Sequence, residues 1–281
     1  MEKNLKSVLN RHGFLFKKAF GQNFLTDTSL LSEIVEKAGV NKNDTVLEIG
    51  PGAGALTSEL CKNAKKVVCY EIDTKLKPVL DEMLEDYNNY EIVFKDIMKE
   101  NLADLEKKLG GEYILVANLP YYITTPIVMR FIEEAKNVKA MVIMVQEEVA
   151  YRFSAKESSS DYGAITVGIN LRGNAEILIN VPREKFTPAP NVDSAVVKIS
   201  IDRDKFNGVD KMAVRNLVRC AFSSRRKMLT NNLINTLKIS RAQAETALNA
   251  ANIKLTSRGE NLAVEDFISL TNTLIQMGIK L

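Results

Sequence analysis

Thr45-Val-Leu-Glu-Ile-Gly-Pro-Gly-Ala-Gly54 begins as an apolar, β-favouring run and empties into a turn in which every second residue is glycine. Such a turn lets the backbone approach a ligand closely at the carboxyl end of a strand, where open parallel sheets bind their ligands. A dinucleotide fingerprint would space its glycines G-x-G-x-x-G. Here Gly50, Gly52 and Gly54 alternate, and Glu48 stands two places ahead of them, so a pyrophosphate cradle fits poorly.

Outward from this stretch, similar runs recur at Lys66-Val-Val-Cys-Tyr70, Tyr90-Glu-Ile-Val-Phe94, Tyr113-Ile-Leu-Val-Ala117 and Ala140-Met-Val-Ile-Met-Val145. Helical patterns separate them: Leu30, Leu31, Ile34, Val35 and Ala38 repeat at helical spacing and stop at Gly39, and Pro126 opens another helix ahead of Ile127, Val128, Phe131 and Ile132. Alternating strand and helix predict a mostly parallel α/β sheet covered on both faces. Glu176-Ile-Leu-Ile-Asn-Val181 and Ser194-Ala-Val-Val-Lys-Ile-Ser-Ile201 are joined by a proline-rich connection too short for a crossover helix, which predicts an antiparallel pair at one sheet edge. Residues 163–171 fit either a strand or a helix, and are read as a helix because the connection before residue 176 otherwise lacks one. Ser158-Ser-Ser160 is read as a mobile loop. Beyond Asp202-Arg-Asp-Lys-Phe-Asn-Gly208 only helical periodicity follows, with a capping-box spacing at Ser240–Gln243 and an amphipathic helix from Ala263 to Met277. Two domains are expected, residues 1–203 and an all-helical 204–281.

The ends of the next three strands extend the ligand argument. Glu71, 21 residues after Gly50 and followed by Asp73, is placed to accept hydrogen bonds from both hydroxyls of a ribose. Asp96, just past the third strand, suits the exocyclic amine of an adenine. At the fourth, Asn118-Leu-Pro-Tyr121 brings together the side-chain oxygen of Asn118 and the carbonyl of Leu119, two acceptors for the two N–H bonds of an amino group on a base. Pro120 restricts the backbone so that they converge, and Tyr121 offers a stacking face. With acceptors at these ends and no phosphate ligand among them, the sequence asks for an adenosine derivative without phosphates.

Composition narrows the chemistry. The 281 residues are 46% hydrophobic and 26% charged, enough for a sizeable core, and the net charge is only +3. Its distribution is uneven: residues 204–281 hold twelve Lys or Arg against six Asp or Glu, which leaves −3 for residues 1–203. Three cysteines without C-x-x-C spacing argue against a disulfide framework or a zinc site, and the single histidine, His12, against a histidine base or a histidine-held metal. No signal-type apolar region opens the chain and no apolar run is long enough to span a membrane, so a soluble protein of the reducing cytoplasm is expected.

Taken together, Glu48-Ile-Gly-Pro-Gly52, Glu71, Asp96 and Asn118-Leu-Pro-Tyr121 resemble the S-adenosylmethionine-dependent adenine-N6 methyltransferases. Lys18-Ala-Phe-Gly-Gln-Asn-Phe-Leu25, Phe186-Thr-Pro-Ala-Pro-Asn-Val-Asp-Ser194, Ala221-Phe-Ser-Ser-Arg-Arg-Lys227 and Arg258-Gly-Glu-Asn-Leu262 narrow the resemblance to the ribosomal RNA adenine dimethyltransferases, in particular those of the small subunit (16S). The resemblance covers nearly the whole chain. It implies a Rossmann-like class I methyltransferase sheet, an S-adenosylmethionine cofactor with S-adenosylhomocysteine as product, no metal, and a helical C-terminal domain that binds RNA. It further implies that Asn23 and Leu25 close over the cofactor, that Gly50 and Gly52 approach its methionine portion, that Glu71 holds the ribose and Asp96 the adenine. Asn118, Leu119, Pro120 and Tyr121 would form the catalytic loop, and Tyr121 and Phe186 would hold the flipped base. Arg225, Arg226 and Lys227, with Arg215, Arg219, Lys17 and Lys18, would supply phosphate contacts. The small ribosomal subunit and its 16S rRNA are the implied partner, met by a monomer away from any membrane.

Two other readings compete. The large-subunit (23S) rRNA dimethyltransferases that confer macrolide resistance share the cofactor motifs but usually carry Ile where Leu119 stands. The chain could also act chiefly as a small-subunit assembly factor. A DNA adenine methyltransferase fits less well, because Asp-Pro-Pro-Tyr is commoner there than Asn-Leu-Pro-Tyr.

Overall fold

The computed structural model describes residues 5–14, 23–120 and 123–281; Lys17, Lys18 and Tyr121, which have roles in the reading above, lie outside the described residues. The strands are β1 (Phe24–Leu25), β2 (Thr45–Ile49), β3 (Lys66–Glu71), β4 (Tyr90–Phe94), β5 (Tyr113–Asn118), β6 (Val138–Gln146), β7 (Gly173–Val181), β8 (Phe186–Thr187) and β9 (Ser194–Ile201). The helices are α1 (Leu5–Arg11), α2 (Thr28–Ala38), α3 (Ala55–Asn63), α4 (Lys77–Met83), α5 (Leu102–Leu109), α6 (Thr124–Glu134), α7 (Glu147–Phe153), α8 (Ala164–Asn170), α9 (Lys211–Ala221), α10 (Leu229–Leu237), α11 (Arg241–Ala250) and α12 (Val264–Gln276).

Seven strands form one sheet in the order β4-β3-β2-β5-β6-β9-β7. The pairs β2–β3, β2–β5, β3–β4 and β5–β6 are parallel, and β9 returns antiparallel to β6. Val46 and Leu47 point to opposite faces of β2 and both are fully buried, so the sheet is covered on both sides as the expected α/β fold requires. On one face Val46, Val67, Cys69, Ile114 and Val116 join Leu30, Leu31, Ile34 and Val35 of α2 and Leu56 and Leu60 of α3 in a single core. Each large aliphatic side chain buried this way contributes about 1.5–3 kcal/mol.

Local signals set the element ends. Asp27 caps α2 by accepting from the backbone N–H of Leu30 (3.1 Å), and Gly39 ends it with a left-handed φ of 74°. Helix α6 starts at Thr124, two residues before Pro126, which falls in the first turn where no intrahelical donor is lost. Residues 164–170 are helical. The two-stranded ribbon that pairs β1 with β8, Leu25 opposite Phe186, has no counterpart in the sequence reading, because two residues per strand cannot show a period.

The chain divides into two compact units that do not follow chain order. The first comprises residues 1–150 and 176–201, and the second residues 151–175 and 202–281, so the segment from Tyr151 to Ala175 clusters with the C-terminal helices, although the sequence reading had grouped it with the sheet. Its membership has a cause: Tyr162 and Val167 pack in the same core as Leu217 of α9, Leu233 of α10, Leu248 of α11 and Phe267 of α12, and the hydroxyl of Tyr162 donates to the carbonyl of Leu262 (2.8 Å). The Ser158-Ser-Ser160 loop is hydrogen-bonded rather than free, with the N–H of Ser158 donating to the carbonyl of Glu260 (2.8 Å). In the same unit the expected capping box is formed by Ser240 and Gln243. Among the described residues no helix is long and apolar enough to cross a membrane.

Candidate active site at the carboxyl ends of the parallel strands

Because β2 pairs with both β3 and β5, the strand order reverses at the β2 end, and the site opens there. A pocket in the first unit is lined by Asn23, Leu25, Glu48, Gly50, Gly52, Glu71, Ile72, Asp96, Asn118, Leu119 and Pro120, among others. Residues from four successive strand ends and from the strap around β1 are thus brought together.

The glycine turn is held by a carboxylate. Glu71, at the last position of β3, accepts from the N–H groups of Ile72 and Asp73 with one oxygen (2.8 Å each) and from the N–H of Gly52 with the other (3.1 Å). Gly52 has a left-handed φ of 56°, and a Cβ there would lie 2.7 Å from the ring of Phe24. Both facts demand glycine. Burial raises the pKa of Glu71 above the ordinary carboxylate value, against the lowering effect of those backbone bonds. Glu48 is deeper still, 1% exposed, and burial pushes its carboxyl up to about 7, with the charge of Glu71 adding in the same direction. The thiol of Cys69 donates to it (3.4 Å).

Asp96 caps the short helical turn at Ile97–Lys99 through the N–H of Met98 (2.9 Å). That turn is fastened from α6: the guanidinium of Arg130 donates to the carbonyl of Ile97 (2.6 Å) and to that of Glu100. At β5 the side-chain N–H of Asn118 donates to the backbone carbonyl of Asn23 (3.3 Å), which ties the strap to the end of β5 and leaves the side-chain oxygen as the acceptor. The carbonyl of Pro120 accepts from Ile123 N–H (3.1 Å) and the Thr124 hydroxyl (3.2 Å), so the proline segment is bound into the start of α6.

Phe186 is not on the pocket wall. It is 4% exposed and packs with Leu25 in the core, held there by the β1–β8 ribbon. In the second unit Arg219, Arg225, Arg226 and Lys227 are all exposed, and Arg225 in addition donates to two carbonyls of its own unit. The sequence reading missed Ile72, an apolar side chain 56% exposed at the pocket beside Glu71, and Arg130. A hydrophobic residue directly after a strand-end carboxylate was a signal for the first; nothing in the spacing of Arg130 pointed to its role.

The donor set fits a nucleoside better than a nucleotide. Glu48, Glu71 and Asp96 face the pocket with carbonyl acceptors, and Lys95, the one basic side chain on its described wall, is drawn to Glu100 (3.4 Å). A phosphate would meet mostly negative charge there.

The family profile described as "Ribosomal RNA adenine dimethylase" matches residues 13–276. The chain is 42% identical to the Ribosomal RNA small subunit methyltransferase A of Bacillus licheniformis over 96% of its length and 94% of that protein's. It is 43% identical to the protein of the same name from Geobacillus thermodenitrificans, over 97% and 95% respectively. Among solved structures it is similar to a dimethyladenosine transferase from Plasmodium falciparum (28% identity, TM-score 0.80, covering 92% of this chain and 99% of that one). It is also similar to the 23S rRNA methyltransferase ErmE (28% identity, TM-score 0.71, covering 90% and 100%). With a match that spans nearly all of its length, this chain belongs to the ribosomal RNA adenine dimethylase family.

Proposed function

We propose that this protein transfers methyl groups from S-adenosylmethionine to N6 of two adjacent adenines in the 3′-terminal hairpin loop of small-subunit (16S) rRNA, forming N6,N6-dimethyladenosine. The observation that carries this reading is the convergence of the Gly50–Gly52 turn, Glu71, Asp96 and the Asn118-Leu-Pro120 loop on one pocket lined by acceptors. The small subunit is favoured over the large one by the 42–43% identity to proteins named for the small subunit, against 28% to ErmE.

S-adenosylmethionine supplies, when bound, a methyl group already activated on a sulfonium, so the chain's task is placement. Glu71 accepts from the ribose with the oxygen capacity that the backbone N–H groups leave over, and Asp96 accepts from the cofactor's adenine amine. Ile72 offers that adenine an apolar wall. The oxygen of Asn118 and the carbonyl of Leu119 accept the two N–H bonds of the target N6, which draws its lone pair out of conjugation and aims it at the methyl carbon. Holding two reactants in line contributes roughly 7–11 kcal/mol to rate acceleration. The target base has to leave its stack to reach the pocket, and each aromatic face it stacks on returns about 1–3 kcal/mol. Tyr121 offers one such face; Phe186, buried with Leu25 and absent from the pocket wall, backs the site instead of stacking on the base. Two N–H bonds on one N6 permit two successive transfers.

The test is labelled S-adenosylmethionine given to separated small and large subunits that lack adenine dimethylation, followed by mass analysis of the digested RNA. Dimethyladenosine confined to the small subunit is expected. Label in the large subunit would transfer the chain to the 23S branch, and binding to small subunits without label would leave assembly as its work.

A further inference from the structure

Arg225, Arg226 and Lys227 are consecutive cations in the turn between α9 and α10, and by residue type all three are equivalent phosphate ligands. Their surroundings are not equivalent. One terminal nitrogen of Arg225 donates to the carbonyl of Ser160 (2.7 Å) and to that of Tyr162 (3.2 Å). All three residues are exposed, but among the described residues neither the Arg226 nor the Lys227 side chain has a hydrogen-bond or ion-pair partner.

The surroundings of Arg225 are built on several sides. Asn232, 1% exposed, donates to the carbonyls of Ala221 (2.7 Å) and Ser224 (3.1 Å), which fixes the turn from beneath. The opposite partner, the Ser158–Tyr162 loop, is itself anchored by Ser158 N–H on Glu260 and by the Tyr162 hydroxyl on Leu262. Gly259, in the same segment, passes so close to the end of α9 that a Cβ would stand 3.0 Å from the carbonyl of Ala221. If Arg225 swung out to a phosphate it would withdraw a charge-assisted donor from two carbonyls at once.

We propose that Arg225 is a positioning residue: it pins the Ser158–Tyr162 loop to the α9–α10 turn, and so orients Arg226 and Lys227, which are the members of the run that neutralise rRNA phosphates. This rests on the reading of small-subunit rRNA as the partner. Each phosphate neutralised contributes about 0.9 to the slope of log affinity against log salt for duplex nucleic acid and about 0.7 for single strands. A pin contributes to affinity without contributing to that slope.

The experiment measures binding of the full-length protein to small subunits lacking adenine dimethylation, across potassium concentrations at fixed magnesium. Arg226→Ala and Lys227→Ala each lower the slope by roughly 0.7–0.9. Arg225→Ala weakens binding at every salt with the slope unchanged, and Arg225→Gln, which loses the charge but keeps an N–H donor, recovers part of that loss. Hydrogen exchange of the free protein supplies a readout independent of RNA: amides of residues 158–162 exchange faster in Arg225→Ala and at the wild-type rate in Lys227→Ala. A slope that falls in Arg225→Ala as it does in Lys227→Ala overturns the proposal, as does unchanged exchange in that loop. No binding by the wild-type chain would overturn the proposed function and the division of labour together, while exchange would still report on the pin.

Discussion

At Gly52 a backbone N–H, a carboxylate and an aromatic ring meet within one residue. The position combines a left-handed φ with a 2.7 Å approach to Phe24, so Gly52→Ala is expected to cost about 1–3 kcal/mol in chemical denaturation and to remove S-adenosylhomocysteine binding in calorimetry. Wild-type affinity in that variant would separate the turn from the cofactor. Glu48 makes a different prediction. Its folded pKa of about 7 lies above the ordinary 4.5, so between those values the folded state holds a proton that the unfolded state has released. Stability therefore declines as pH rises through that window. Glu48→Gln escapes the decline and gains on the order of 2–3 kcal/mol relative to wild type between pH 4 and pH 8. Parallel urea-denaturation curves for the two proteins at both pH values would show that the carboxyl is not elevated.

At the scale of elements, the strap and the short turns depend on single side chains. Asp27 caps α2 and receives Lys185 from the far side of the β1–β8 ribbon (2.6 Å), which holds its carboxyl well below the usual carboxylate range. Its contribution is full above the ordinary pKa and is lost only as pH falls below it. Asp27→Ala removes both contacts and is expected to cost about 1–2 kcal/mol, mostly as lost capping, whereas Lys185→Ala breaks an ion pair with a half-exposed lysine and costs under about 1 kcal/mol. Equal losses in thermal denaturation would shift the weight from the cap to the pair. Arg130→Ala frees the turn that carries Asp96, and should raise KM for S-adenosylmethionine about tenfold while kcat at saturation changes little. A fall in kcat with KM unchanged would rule out that division. The strands of the sheet, the end of α2 and the capping box of α11 could all be read from periodicity and cap residues. The β1–β8 ribbon could not, because its pairing joins residues about 160 positions apart in a register that no local pattern encodes.

For the whole molecule, charge follows the compact units more closely than chain order. Moving residues 151–175 and 202–203 to the second unit raises its net charge to +7 and leaves −4 on the first. A net charge of +7 on the second unit predicts salt-sensitive association with rRNA. Raising potassium chloride from 50 to 200 mM is expected to weaken co-sedimentation with small subunits at least about tenfold. An affinity indifferent to salt would mean that this charge does not face phosphate.

Local chemistry is short-ranged, and so the strand runs, the glycine turn, the carboxylates at Glu71 and Asp96 and the Asn118-Leu-Pro120 loop were all legible along the chain, together with the adenosine-type ligand they ask for. What each of those groups is bonded to was not. Glu71 spends three hydrogen bonds on backbone, Phe186 is buried against Leu25, and Arg225 is bonded to two carbonyls while Arg226 and Lys227, equally exposed, have no such bond among the described residues. Residue type sets what a side chain can donate or accept; which of its chances it takes depends on atoms that packing brings from distant parts of the chain, and a linear pattern carries no record of them.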